Sequence, residues 1–181
     1  ALNFLLMFQH GLVLLIFGPL VPGIMKTFDI KEGMTGLLLG IGSLGFMVGP
    51  LIAGAAIDKT GVKKVVMLGF LGEMVFFALF GASPLFIFAA MATFCLHLTA
   101  SFVETSGNVM PTLIKGNHAG SYMNLVHFFF SVGAFISPFL IGLYIGATGR
   151  WRPVLFFMMI PTALLLVYAK FIRFPAADKE E

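Results

Sequence analysis

Residues Gly54–Lys64 read GAAIDKTGVKK and mark the point where the chain changes from apolar to charged. More than twenty residues without a charge precede this stretch, which then carries one acid, Asp58, and three lysines. Basic residues of membrane proteins are concentrated in the short loops between crossings, mostly on the cytoplasmic side. The stretch therefore predicts a short loop that joins two membrane-spanning helices.

The composition of the whole chain also indicates an integral membrane protein. Of its 181 residues, 59% are hydrophobic and only 10% are charged, whereas a soluble domain has about 25% charged residues. A soluble fold of this length lacks the interior volume to bury so many apolar side chains. The net charge of +3 lies in loops, which suits membrane topology and not nucleic-acid binding.

Cysteine and histidine usage predicts no disulfide, no metal site and no cofactor. Cys95 is the single cysteine, and no Cys/His cluster has metal-binding spacing. The apolar sequence starts at once, without a basic leader or a small-residue cleavage site, so no signal peptide is expected.

Six apolar stretches have the length of roughly 20 residues that a helical crossing needs. They are residues 2–25, 34–57, 65–82, 85–110, 119–145 and 153–174. With both termini cytoplasmic, the cytoplasmic side would hold Lys59, Lys63, Lys64, Lys115, Lys170, Arg173 and Lys179, and the other side Lys26, Lys31, Arg150 and Arg152. This excess favours a plasma (inner) membrane protein with both termini in the cytoplasm. The inverted placement is the alternative.

An internal repeat relates the second crossing to the fifth. Residues 45–54, GFMVGPLIAG, align with residues 133–142, GAFISPFLIG, at an offset of 88, and the same offset places Thr60 on Thr148 and Gly61 on Gly149. Three crossings separate the copies, so the second copy is inverted in the membrane. We therefore expect one all-α domain, residues 1–181, with repeats at about 1–82 and 85–174 and a charged tail at 175–181. Chance matches of Gly and Pro are the alternative explanation.

Small and polar residues recur at helical spacing inside the apolar stretches. Gly36, Gly40, Gly45, Gly49 and Gly54 lie mostly at intervals that allow close helix packing. The fourth crossing carries one polar stripe: His97, Ser101, Glu104 and Asn108. The fifth carries Ser121, Asn124, His127 and Ser131, and the first carries Asn3, Gln9 and His10 before a Gly18–Pro22 segment that should bend the helix.

Glu104 is the first candidate for a functional residue, because an ionisable group inside a membrane needs a partner, a water-filled cavity or a function. It could carry a proton, or it could stay ionised and accept hydrogen bonds from substrate hydroxyls. The structural alternative is a buried acid tied to His97, His127 or Lys115. Glu73 has no polar stripe around it and is expected to pair with a neighbouring helix or to lie in a subunit contact, outside the site.

The pattern Gly-x-x-x-Asp-Lys-x-Gly-x-Lys-Lys resembles the loop between helices 2 and 3 of the major facilitator superfamily of secondary transporters. The resemblance implies a cytoplasmic latch in which Asp58 caps a helix end and meets charges of the opposite half. The implied gating residues are Gly54, Asp58, Lys59, Gly61, Lys63 and Lys64. Lys59 and Lys63 stand where the family often has arginine, so the charge is kept but bidentate pairing is lost.

Two further segments are similar to the fucose and glucose/galactose permease branch of that superfamily. Glu104-Thr105 followed by Asn108 matches its helix 4, and Asn124-Leu125 followed by Phe129 and Gly133 matches its helix 5. His127 stands where the branch usually has Gln, and Phe130 where it often has Asn. The likeness implies substrate-binding roles for Glu104, Asn108, Asn124, His127, His10 and Ser101, with Glu104 also coupling protons.

The sequence as a whole predicts half of a secondary transporter for a small polar solute, most simply a sugar. Such a half would need a second copy in a homodimer, or a different second half, and the fragment of a longer carrier and a non-transporting scaffold are the alternatives. An intramembrane enzyme is not supported, because the chain has no His-Glu-x-x-His motif, no paired aspartates on facing helices and no Ser/His pair with an oxyanion-forming Gly loop.

Overall fold

Every regular element in the part of the chain that the computed structural model describes, residues 2–113, 119–172 and 174, is an α-helix. The helices are α1 (Leu2–Leu14), α2 (Phe17–Phe28), α3 (Glu32–Thr60), α4 (Val62–Ala82), α5 (Phe86–Thr112), α6 (Ala119–Thr148) and α7 (Arg152–Phe171). α1 and α2 together make the first crossing, and each other helix makes one more. All six crossings are long and apolar enough to span a membrane, which confirms the predicted fold class.

Several helices extend beyond the predicted apolar stretches, and three of them do so clearly at their C-terminal ends. α3 continues to Thr60, α5 to Thr112 and α6 to Thr148, whereas the apolar stretches end at residues 57, 110 and 145. Hydropathy marks only the part of a helix that lies in hydrocarbon. The backbone hydrogen bonds continue for another turn where the bilayer becomes polar, so the loops are shorter than expected.

The first crossing is interrupted one turn before the predicted Gly18–Pro22 bend. The break falls at Leu15 and Ile16, between α1 and α2. Pro19 explains this position, because its ring clashes with the carbonyl group four residues earlier and it has no N–H to bond to it. The carbonyl in question is that of Leu15, so the helix is interrupted there and resumes at Phe17.

The turns after α3 and α6 are built in the same way, as the 88-residue repeat predicts. Gly61 and Gly149 both have positive φ angles, of 85° and 67°. Their amide groups donate to carbonyl oxygens four residues earlier, at 2.8 and 2.7 Å. The preceding threonines, Thr60 and Thr148, each bond back to their own helix at 2.8 Å. Both turns need a residue without a Cβ, because a left-handed backbone conformation is unfavourable for other residues.

The repeat is also visible where helices pack most closely. α3 packs along α5 and α6 packs along α1, and a glycine on each outer helix makes the closest approach. A Cβ atom on Gly45 would overlap the carbonyl oxygen of Phe94, and one on Gly133 would overlap that of Phe8. The two inverted copies therefore use the same glycine-to-backbone contact, which brings α3 onto α5 and α6 onto α1.

We expect Gly45→Ala and Gly133→Ala each to lower the free energy of unfolding by about 1–3 kcal/mol, because the new methyl group pushes two backbones apart. Thermal unfolding of the purified protein in detergent measures this effect. Gly33→Ala on α3 is the matched control, since nothing lies within 4 Å of the Cβ position there. If the two glycine variants and the control variant had the same free energy of unfolding, these close contacts would not hold the helices together.

Two cations connect the ends of α4 and α7 reciprocally. Lys63, in the first turn of α4, donates to two carbonyl oxygens at the end of α7, at 2.8 and 2.9 Å. Arg152, in the first turn of α7, donates to two carbonyl oxygens at the end of α4, at 3.1 and 2.8 Å. Each cation satisfies carbonyl groups that a helix C-terminus leaves without partners. The basic residues predicted at Lys115, Arg173 and Lys179 lie outside the described residues.

The apolar core consists of two clusters at opposite ends of the bundle. One contains Phe77, Phe80 and Leu155 and is closed by Trp151, which is almost fully buried although it lies between helices. The other contains Leu6, Phe70 and Val103, among other residues. Polar side chains occupy the level between the clusters, and this level holds part of the candidate site.

Candidate functional site

The polar stripe predicted on the fourth crossing divides into a buried part and a more open part. Ser101 is fully buried against Gly49 of α3 and donates to the Leu98 carbonyl oxygen at 2.7 Å. Its hydroxyl group therefore serves helix packing in this structure. Glu104 and Asn108, one and two turns further along α5, are half-buried and remain accessible from the surface of the bundle.

Glu104 lies within the electrostatic range of His127 on the fifth crossing, but the two side chains form no hydrogen bond or ion pair. Of the three partners proposed from sequence, Lys115 lies outside the described residues. His127 and Asn124 are both exposed on α6. An acid, an imidazole and two amides, those of Asn108 and Asn124, therefore lie on α5 and α6 with open surface beside them.

His10 is completely buried where α1 meets α3 and α6. Its ring stacks between Phe130, with ring centroids 5.6 Å apart, and Phe46, at 6.1 Å. Neither ring nitrogen has a hydrogen-bond partner among the described residues. A buried polar group without a partner is costly, and His10 is therefore either served by water or available to a solute when the bundle opens beside Phe46.

His97 lines a cavity that the sequence did not predict. The cavity has a volume of about 290 Å³ and lies beside the break in the first crossing; its lining is Leu14, Phe17, Leu39, Ser43, Phe46, Met47 and His97. The ring of His97 packs with its centroid 4.9 Å from that of Phe17, and its Nδ1 donates to the carbonyl oxygen of Thr93, 2.9 Å away. Gly42 leaves room for this ring, since a Cβ there would lie 2.9 Å from it.

These groups form one continuous band across four helices. Phe46 stacks on His10 and also lines the cavity that holds His97. Phe130 then links His10 to the α6 surface that carries His127. The band combines hydrogen-bonding imidazole, amide and carboxyl groups with aromatic faces. Such groups can donate hydrogen bonds to a neutral, hydroxyl-bearing solute and accept them from it.

A second group of polar side chains, which the sequence did not assemble, lies between the two core clusters. Gln9 of α1 donates from Nε2 to Glu73 of α4 at 2.8 Å and to Thr162 of α7 at 2.9 Å. Glu73 is 0% exposed. It therefore pairs with a neighbouring helix, which is the first of the two alternatives given above, and its burial contradicts the second, a contact between subunits. Sequence spacing could not have revealed this group, because its members come from three separate helices.

The predicted gating residues lie at one end of the bundle. Asp58, Lys59 and Lys64 are exposed, Gly54 has nothing within 4 Å of its Cβ position, and Gly61 forms the turn. α4 has no side-chain hydrogen bond at its N-terminal cap, so Asp58 does not cap the helix that follows it. Lys63 is the residue of the motif that reaches another helix, as described above.

Comparison with known proteins identifies relatives among transporters. The family model of the Major Facilitator Superfamily matches residues 4–181. The chain is 28% identical over 102 residues to "Uncharacterized MFS-type transporter YceJ" of Bacillus subtilis (strain 168), which covers 56% of the chain and 26% of that protein. It is 24% identical over 140 residues to "Sodium-dependent glucose transporter 1" of Homo sapiens, which covers 76% of the chain and 27% of that protein. The matched segments thus span about a quarter of either relative.

Proposed function

Because the chain belongs to the Major Facilitator Superfamily, we propose that it forms half of a secondary transporter that moves a small polar solute by alternating access. The observation that carries this proposal is the half-buried Glu104 of α5 near the exposed His127 and Asn124 of α6. An ionisable residue inside a membrane-spanning helix is typical of solute and proton pathways in membrane proteins.

A sugar is the substrate class that these residues suit best. Carboxyl and amide groups such as those of Glu104, Asn108 and Asn124 can accept and donate hydrogen bonds to several hydroxyl groups. Aromatic rings at Tyr122 and Phe130 supply apolar faces for the sugar ring. The name of the human relative, which specifies glucose, supports the same class. His10 would join the site on opening, whereas Ser101 would contribute through helix packing.

Coupling to protons is proposed at Glu104. A carboxyl group can take up and release a proton without moving far, and His127 is a second group able to exchange protons beside it. The name of the human relative specifies sodium instead. A sodium gradient is therefore the competing driving force that an experiment must separate from a proton gradient.

A second six-helix unit would complete the carrier, and the outer faces of α3 and α6 are suited to contact it. Leu51 and Phe135 on these helices are 76% and 80% exposed. Pairs of glycines four residues apart, Gly36 with Gly40 and Gly142 with Gly146, face space with no atom within 4 Å of their Cβ positions. Such glycines let another backbone approach closely. The second unit is a second copy of the chain or a different half of a longer protein.

In this arrangement the two repeats, about 1–82 and 85–174, would rock against each other and against the second unit. The charged residues at the end of α3, Asp58 and Lys59, and Lys64 at the start of α4 would then form a charged latch on the cytoplasmic side. The excess of lysine on this side supports a plasma-membrane carrier with both termini in the cytoplasm. The solute would pass between the halves, along the band that contains Glu104.

Uptake of labelled hexoses into liposomes tests the proposal. The mass of the purified particle is measured first, and we expect two copies of the 19.6 kDa chain. The reconstituted particle is then expected to take up a hexose saturably, and to accumulate it when a proton gradient is imposed. Accumulation driven by a sodium gradient alone would identify sodium, and not the proton, as the coupling ion. A particle that contains one copy and shows no uptake would favour a fragment of a longer carrier or a scaffold.

A further inference from the structure

An apolar groove with two lysines at one end lies between α4 and α7, away from the band of site residues. Its volume is about 590 Å³. The walls are formed by methyl and methylene groups of Met67, Leu68, Leu71, Leu166 and Val167. In a protein that spans a membrane, a surface of this kind is in contact with lipid acyl chains.

Lys64 and Lys170 complete the lining of this groove. Lys64 lies in the first turn of α4 and Lys170 in the last turn of α7, and both are exposed. Lys63 fixes their relative position, because its ammonium group donates to the carbonyl oxygen of Lys170 itself at 2.8 Å. The groove thus presents two ammonium groups at the level where helices leave the hydrocarbon, and no acidic side chain is part of its described lining.

A second groove on the described surface shows that this charge is not a general property of the outer faces. It has a volume of about 450 Å³ and lies at the opposite end of α4, where Ser83 and Pro84 lead into α5. Its described lining includes Leu79, Phe88 and Met91 but no basic residue. Arg152, which lies at that end, donates to backbone carbonyl groups instead. The two grooves therefore differ in charge although both are apolar along their length.

We propose that the groove between α4 and α7 binds an anionic phospholipid, with its phosphate between Lys64 and Lys170 and its acyl chains along the apolar walls. Charge complementarity supports this occupant, since basic pockets between membrane helices bind anionic headgroups. A phosphate without acyl chains would leave the apolar walls uncovered. The bound lipid would hold the first turn of α4, to which Lys64 belongs, at the headgroup layer.

Competition between two lipids tests this site. Purified protein is mixed with equal amounts of phosphatidylglycerol and phosphatidylcholine, and the bound lipids are counted by native mass spectrometry. We expect wild-type protein to retain phosphatidylglycerol preferentially, and the double variant Lys64→Gln/Lys170→Gln to lose about 20-fold of that preference. The preference should also weaken at high salt, because exposed charges are screened.

Two control variants keep the test independent of folding and of total charge. Lys26→Gln/Lys31→Gln removes two exposed lysines at the other end of the bundle and should leave the preference unchanged. Lys64→Arg/Lys170→Arg keeps both charges and should retain it. Equal binding of both lipids to the wild type, an unchanged preference in Lys64→Gln/Lys170→Gln, or displacement of the lipid by glycerol phosphate would each overturn the proposal.

Discussion

Glu104→Gln is expected to abolish accumulation of solute driven by a proton gradient and to leave the protein folded. Glutamine has nearly the shape of glutamic acid and keeps its hydrogen bonds to a solute, but it cannot release a proton. Exchange of labelled for unlabelled solute across the membrane, which needs no net proton movement, should therefore continue. The measurement is uptake into liposomes at several external pH values, with exchange measured in the same preparation.

Two other variants sharpen the interpretation of Glu104→Gln. Glu32→Gln removes an exposed carboxyl group in the first turn of α3 and should not change uptake. His127→Gln introduces the side chain that the resembling permeases usually have, and should preserve uptake while changing its pH dependence, because the imidazole beside Glu104 is gone. Unchanged, pH-dependent accumulation by Glu104→Gln would remove Glu104 from the coupling mechanism.

Gln9→Leu is expected to lower the free energy of unfolding by about 1–3 kcal/mol, the second large effect. The change leaves the fully buried Glu73 without its hydrogen bond from Nε2 of Gln9, so a buried carboxyl oxygen loses a partner. Thermal unfolding in detergent measures the loss.

A double-mutant comparison separates this lost hydrogen bond from a change in packing. The variant Gln9→Leu/Glu73→Leu replaces both partners with apolar groups, and it should recover most of the stability, since an apolar pair leaves no polar group unsatisfied. Additive losses in the double variant would contradict the role given to the Gln9–Glu73 contact. Glu73→Gln, which keeps an acceptor oxygen for Gln9, is expected to be the mildest of the three changes.

The sequence alone specified the features that depend on near neighbours along the chain. Apolar length predicted six crossings, and the 88-residue offset predicted that Gly61 and Gly149 would form equivalent turns, as they do. The offset also aligned Gly45 with Gly133, and in the structure both lie against a carbonyl group of a partner helix. These features follow from composition and spacing, because a helix in lipid must satisfy its own backbone and cover its length with apolar side chains.

The candidate site was predicted only in part. In the structure Glu104 and Asn108 of the fourth-crossing stripe are half-buried, whereas Ser101 of the same stripe is buried against Gly49. Helical periodicity defines which side chains share a face, but it does not define how much of that face a neighbouring helix covers. Glu104 lies beyond the close α3–α5 contact, and Ser101 lies within it.

Tertiary structure alone decided which distant polar groups meet. Gln9, Glu73 and Thr162 are far apart in sequence and on three different helices, and their hydrogen bonds follow from the rotation of each helix about its axis. The same rotation brings Lys64 and Lys170 to one groove. Most of the surface of each membrane-spanning helix is apolar, so hydropathy gives little preference for an inner face, and small residues and polar contacts set the rotation instead.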